Sequence, residues 1–106
     1  MVTEELGGNI LLEKFELDEQ ELIVAKKLVG KYAEKIRRFT EYQKIKLEMK
    51  VHQKGKTKHF EIKGHVLWDK NMVLSEKMDK NPFVAMDLVL EKMLHEIEHK
   101  IEKNDK

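Results

Sequence analysis

The chain has 106 residues, 41% hydrophobic and 39% charged, which is the length of one domain with enough apolar residues to build a core. Cysteine is absent, which excludes disulfides, thiolate zinc sites and cysteine catalysis. No apolar run reaches the roughly 18 residues of a membrane span. The acidic start Met1-Val2-Thr3-Glu4-Glu5 is not a secretory signal, so a soluble, cytoplasmic protein with no membrane partner is expected.

A net charge of +1 conceals a strong segregation. Residues 1–25 hold seven acids against one lysine. Residues 26–63 hold 13 Lys and Arg against four acids, a net +9, and residues 64–106 hold nine acids against seven lysines. A field of that shape draws a polyanion to the middle of the chain.

In chain order, Gly7-Gly8 breaks the chain before Asn9–Phe15, a short apolar run that reads as a strand. Asp18 followed three residues later by Glu21 is a helix-start signature, because each side chain can satisfy a free backbone N–H at that end. From there Leu22, Ala25, Val29, Tyr32, Ile36 and Phe39 recur every three or four residues, which predicts a helix of about twenty residues. Gly30 lies off that stripe and costs on the order of 1 kcal/mol of helix stability.

Ile45, Leu47, Met49 and Val51 then alternate with Lys44, Lys46, Glu48, Lys50 and His52, the period of a strand with one wet face. After a turn at 53–57, Phe60, Ile62, Gly64, Val66 and Trp68 repeat the pattern, so the two strands form a hairpin. Trp68 and Phe60 read as core residues rather than a stacking platform. A turn at 69–71 leads to a weaker strand at 72–76. Asn81-Pro82 starts the last helix, with Asn as cap and Pro at the first helical position. Its apolar stripe is Phe83, Met86, Leu90, Met93, Ile97 and Ile101. The methionines after the initiator read mostly as core.

The order β-α-β-β-β-α predicts an α+β fold with a four-stranded sheet and both helices on one face, like a double-stranded RNA-binding domain. The expectation is a single domain over 1–106. Its structured core spans 9–103, with flexible ends at 1–8 and 104–106.

His95-Glu96-Ile97-Glu98-His99 matches the zinc-protease pattern H-E-x-x-H. Three features count against zinc peptidase chemistry. The wheel sets both histidines opposite the buried stripe. Glu98 and Lys100 occupy positions that are usually uncharged. Only seven residues follow His99, which leaves little room for a third ligand. No phosphate loop or nucleophile motif is present. No metal, cofactor, small-molecule substrate or catalytic residue is therefore expected.

The first helix carries Lys27, Lys31 and Arg38 opposite its stripe, flanked by Lys26 and Lys35 and interrupted by Glu34. The last helix carries Lys92, His95, His99 and Lys103 outward, diluted by Glu91, Glu96, Glu98 and Glu102. Side by side, the two rows would make one ridge, with Lys44, Lys46, Lys50, Lys54, Lys56 and Lys58 adding charge nearby. Basic residues on rigid elements suit the phosphates and shape of an RNA.

Element order, Asp18-Glu19 opening the first helix, Arg37-Arg38-Phe39 closing it, and Lys80-Asn81-Pro82-Phe83-Val84-Ala85-Met86-Asp87 opening the last together resemble the ribosome hibernation-promoting factors. These are also known as ribosome-associated inhibitors or sigma-factor modulation proteins, and the likeness spans Asn9 to Lys103. The resemblance implies a translation inhibitor that binds rRNA of the small ribosomal subunit, in the channel of messenger and transfer RNA, when growth slows. It implies RNA contacts from Lys31, Arg38 and Lys92. His95 and His99 fall where the family has Arg or Lys, and neutral His is a weaker phosphate partner. It also implies a short form acting as a monomer. The alternatives are a double-stranded RNA-binding module, whose Lys-rich start of the last helix is replaced here by Asn81-Pro82-Phe83, the zinc peptidase, or a plain protein-interaction module.

Overall fold

The computed structural model describes residues 2–104, with side chains described from 3 to 102. In chain order the elements are β1 (Val2–Leu6), β2 (Ile10–Phe15), α1 (Glu19–Arg37), β3 (Lys44–Lys54), β4 (Thr57–Trp68), β5 (Asn71–Asp79) and α2 (Pro82–Asn104). The strands form one mixed sheet in the order β1-β2-β3-β4-β5. β2 and β3 are parallel across the α1 crossover, and every other neighbouring pair is antiparallel.

The sheet has five strands rather than the four expected, and the segment expected to be a flexible leader holds the extra one. An edge strand needs little burial, so β1 shows no apolar alternation. Leu6 packs against the core, and Glu4 forms an ion pair with Lys26 of α1. Between β1 and β2 the register shifts, so that Val2 faces Phe15 and Glu4 faces Leu12. Lys14 takes up the extra residue at φ 58°, and its N–H donates to Thr3 Oγ1 at 3.2 Å. This bulge turns Phe15 inward behind Ile10 and Leu12, all three buried. The tail at 105–106 and the Lys103 side chain lie outside the described residues.

The helix signals hold. Asp18 accepts from the N–H of Glu21 at 2.8 Å and donates its own N–H to the Glu21 side chain at 3.0 Å, a complete capping box. Asn81 Oδ1 accepts from the N–H groups of Phe83 and Val84. α1 stops at Arg37, so Phe39 leaves the stripe and is 41% exposed, contrary to the periodicity. α2 rests on β4 at Gly64, where an added Cβ would lie 2.7 Å from Val89 and 2.8 Å from Leu47 and Met93. No side chain other than hydrogen fits there.

Both helices cover one face of the sheet, and Leu47, Ile62, Val66, Trp68, Met86, Leu90 and Ile97 share one buried cluster. The other face is open. It carries Lys44, Lys46, Glu48, Lys50, Glu61, Lys63 and His65, and along β5 it exposes Met72, Leu74 and Met78. Met72 and Met78 are thus surface residues, unlike the buried Met49, Met86 and Met93. The β3–β4 hairpin outruns its neighbours, because β5 ends opposite Phe60 and β2 ends opposite Glu48. Residues 52–59 therefore pair only with one another. The molecule measures 51 × 25 × 19 Å, with a radius of gyration of 14.0 Å, against about 13 Å for a compact chain of this length.

Candidate nucleic-acid interface

Among the described residues, one side chain joins the helices by hydrogen bonds. Tyr32 of α1 points at α2, with its hydroxyl 2.7 Å from Asp87 Oδ1 and 3.0 Å from Glu91 Oε2. One phenol proton serves two carboxylates. Burial and both acceptors push the Tyr32 pKa above its ordinary value. This contact fixes which flank of each helix meets the other, and with about 100° per residue the remaining side chains follow.

On α1 and its cap, Lys27, Lys31 and Arg38 are exposed, and Lys27 and Lys31 line a cleft beside the β1–β2 turn. Lys35 is closer to α2, its ammonium 5.0 Å from the Tyr32 ring centre. Among the described residues, none of Lys27, Lys31 and Arg38 forms an ion pair.

On α2 the flank facing α1 is acidic, with Asp87, Glu91 and Glu98. Lys92 and His99 lie round toward β5, and His95 points outward next to Glu91. All three are exposed, but two have acidic partners, Lys92 with Glu96 at 3.8 Å and His95 with Glu91 at 3.3 Å. Lys27, Lys31 and Arg38 thus stand on α1 and its cap, and Lys92, His95 and His99 on α2 among Glu91, Glu96 and Glu98. His95, 68% exposed at its side chain, joins no group of three His, Asp or Glu residues among those described.

Lys44, Lys46 and Lys50 sit on the open sheet face, opposite the helices. There Lys46 bonds Glu13 at 3.0 Å, and that bond, with the nearby lysines, holds the Glu13 carboxyl below its usual range. Burial and then Lys46 and Lys44 depress His65. Glu61 meets His52 at 3.0 Å, and with the adjoining Glu76 carboxyl first and His52 second, Glu61 is held below its usual range while Glu76 is raised. On this face Lys46 and Glu48 have ion-pair partners, whereas Lys44 and Lys50 have none among the described residues.

The hairpin tip differs. Gly55, at φ 60°, opens a two-residue turn closed by the Lys54–Thr57 pair, and Gln53 Nε2 donates to the Gly55 carbonyl at 2.8 Å. Lys54, Lys56 and Lys58 are exposed there, with no acid between Glu48 and Glu61.

Periodicity did not single out Arg37. Its guanidinium donates to Tyr42 at 2.7 Å and lies 5.1 Å from that ring centre, which fixes it over the β1–β2 turn. Gly8, at φ 76°, lets the turn pass beneath, since a Cβ there would collide with Arg37. The only trace of this in the sequence is the Gly7-Gly8 pair.

No family model matches this chain, and no curated protein sequence matches it. Several solved structures are similar in fold, two of them described by name. One is the N-terminal domain of Protein Y from Thermus thermophilus, with TM-score 0.59 and 13% identity, covering 86% of this chain and 93% of that one. The other is a ribosomal subunit interface protein from Coxiella burnetii, with TM-score 0.56 and 15% identity, covering 92% of this chain and 97% of that one. The likeness is one of fold. It reproduces the α+β architecture to which the element order pointed.

Proposed function

We propose that this protein is a ribosome-associated hibernation factor that binds rRNA of the small subunit in the messenger and transfer RNA channel. On this reading it inhibits translation as a cytoplasmic monomer, without a cofactor and without catalysis. The observation that carries the reading is the row of Lys27, Lys31 and Arg38 on α1, free of acidic partners among the described residues. The row stands on a fold similar to that of a ribosomal subunit interface protein. Unpaired ammonium and guanidinium groups on a rigid helix displace condensed counterions from phosphates, which is the main source of affinity for a polyanion. The hairpin tip adds Lys54, Lys56 and Lys58 at the other end of the molecule. Lys92, His95 and His99 are assigned a minor part, since neighbouring carboxylates offset them.

The test is co-sedimentation with small subunits on a sucrose gradient at rising salt. The protein should travel with the subunit at about 50 mM salt and be released by about 200 mM, each phosphate contact contributing about 0.7–0.9 to the log–log salt slope. Sedimentation apart from the subunit at low salt, or binding that ignores salt, overturns the proposal.

A further inference from the structure

Gly30 is an anomaly. It sits mid-helix, where glycine weakens α1, yet an added Cβ there would meet nothing within 4 Å. Packing does not require it, unlike Gly64. What lies over Gly30 is a cleft of about 480 Å³ between α1 and the β1–β2 turn, within the range of small-ligand sites. Its floor is Gly7, Ile10, Gly30 and Ala33, and its rim is Lys27, Lys31, Glu34 and Arg37. Three cations face one carboxylate, whereas the other surface clefts set glutamates more evenly against their lysines. Arg37 is held in place by Tyr42, so one anchor is positioned before any ligand arrives. Ile23, two helical turns earlier on the same line, leaves a half-exposed apolar side chain beside the cleft.

We propose that this cleft takes one nucleotide of a single RNA strand. Lys27, Lys31 and Arg37 hold the phosphate, and the base lies on the bare backbone at Gly30 and the apolar floor. Glycine keeps that floor open, because any side chain at position 30 would rise into the space the base needs. The proposal rests on the RNA-binding reading and names its recognition site. A free nucleotide shares the same chemistry but lacks the flanking phosphates that the neighbouring Arg38 would meet.

The test uses the full chain and its Gly30→Ala and Gly30→Leu variants. Binding of a short oligouridylate, of uridine monophosphate and of small subunits is measured along with thermal unfolding. Gly30→Ala should raise Tm by about 4 °C, since the helix gains and nothing clashes. Both variants should weaken oligouridylate binding, Gly30→Leu by about tenfold, the worth of one base contact. Uridine monophosphate should bind far more weakly than the oligonucleotide. Oligouridylate binding unchanged in a folded Gly30→Ala and Gly30→Leu pair overturns the cleft, and equal binding of the monophosphate overturns the strand assignment. If the variants keep wild-type subunit binding, the cleft proposal fails and the ribosomal one stands. If oligouridylate binding is lost on substitution while wild type ignores subunits, the cleft stands and the ribosomal proposal fails.

Discussion

α1 and α2 lie side by side over one sheet face and share one core, but their outer surfaces are electrostatic opposites. From Glu19 to Arg37, α1 holds five cations and three acids, two of these in its first turn, and Arg38 caps it, whereas from Pro82 to Asn104 α2 holds three lysines and five acids. Lys27 and Lys31 of α1, with Arg38 at its cap, form no ion pair among the described residues and Lys26 pairs with Glu4 of β1, while Lys92 and His95 of α2 lean on Glu96 and Glu91. Counting basic residues on exposed faces makes the two helices look equivalent. What separates them is the partner within reach, since a lysine already beside a glutamate gains less from a phosphate than a solvated one does. The acids of α2 also have a structural task, because Asp87 and Glu91 receive Tyr32 and dock the helices.

The strongest way to break this contrast is to reverse the charge on α1. Lys31→Glu with Arg38→Glu should lower small-subunit affinity by about tenfold or more and reduce the salt slope by about 2, with Tm nearly unchanged because both side chains are exposed. Unchanged co-sedimentation would move the interface off α1.

A smaller effect is expected at the joint. Tyr32→Phe should cost about 1.5 kcal/mol, the lower end for a hydrogen bond to a charged acceptor. It should also alter the alkaline limb of stability. The Tyr32 pKa is raised in the folded state, so its contribution is complete below the ordinary tyrosine value of about 10 and is lost as pH climbs above it. Urea unfolding from pH 8 upward should show wild type falling toward the variant beyond about pH 10. Lysine titration is common to both proteins and cancels in the difference. Parallel curves would mean that the phenol proton does not link the helices.

The smallest effect belongs to α2. His95→Gln with His99→Gln should change affinity by less than about twofold at pH 8, since Glu91 and Glu96 surround that stretch of α2. A tenfold loss at pH 8 would make α2 an equal partner and erase the contrast.

Much of this was legible because it is local. The alternation of Ile45 to Val51 and Phe60 to Trp68, the Asp18–Glu21 box and the Asn81 cap each depend on residues a few positions apart, and each formed as read. β1 was missed because an edge strand with Glu4 and Glu5 lacks the alternation that burial imposes. The exposure of Met72 and Met78 was missed because β5 offers two apolar rows, and only helix packing decides which is covered. The wheel correctly placed Lys27, Lys31, Arg38, Lys92, His95 and His99 on exposed faces. It could not give the rotation of one helix against the other, which a contact between residues 32 and 87 sets, nor could it find Arg37, whose partner Tyr42 lies beyond the helix end.

The two methionine environments give the molecule a graded response to peroxide. Thioether oxidation follows exposure, and the sulfoxide is polar. On β5, Met72 and Met78 already face water, 46% and 50% exposed, so taking up oxygen there leaves the interior intact. Met49, Met86 and Met93 support the sheet-to-helix packing, and the same change there would insert a polar sulfoxide among close-packed aliphatic groups. β5 thus places the two expendable thioethers where an oxidant arrives first, and the packing beneath is reached only after the fold opens.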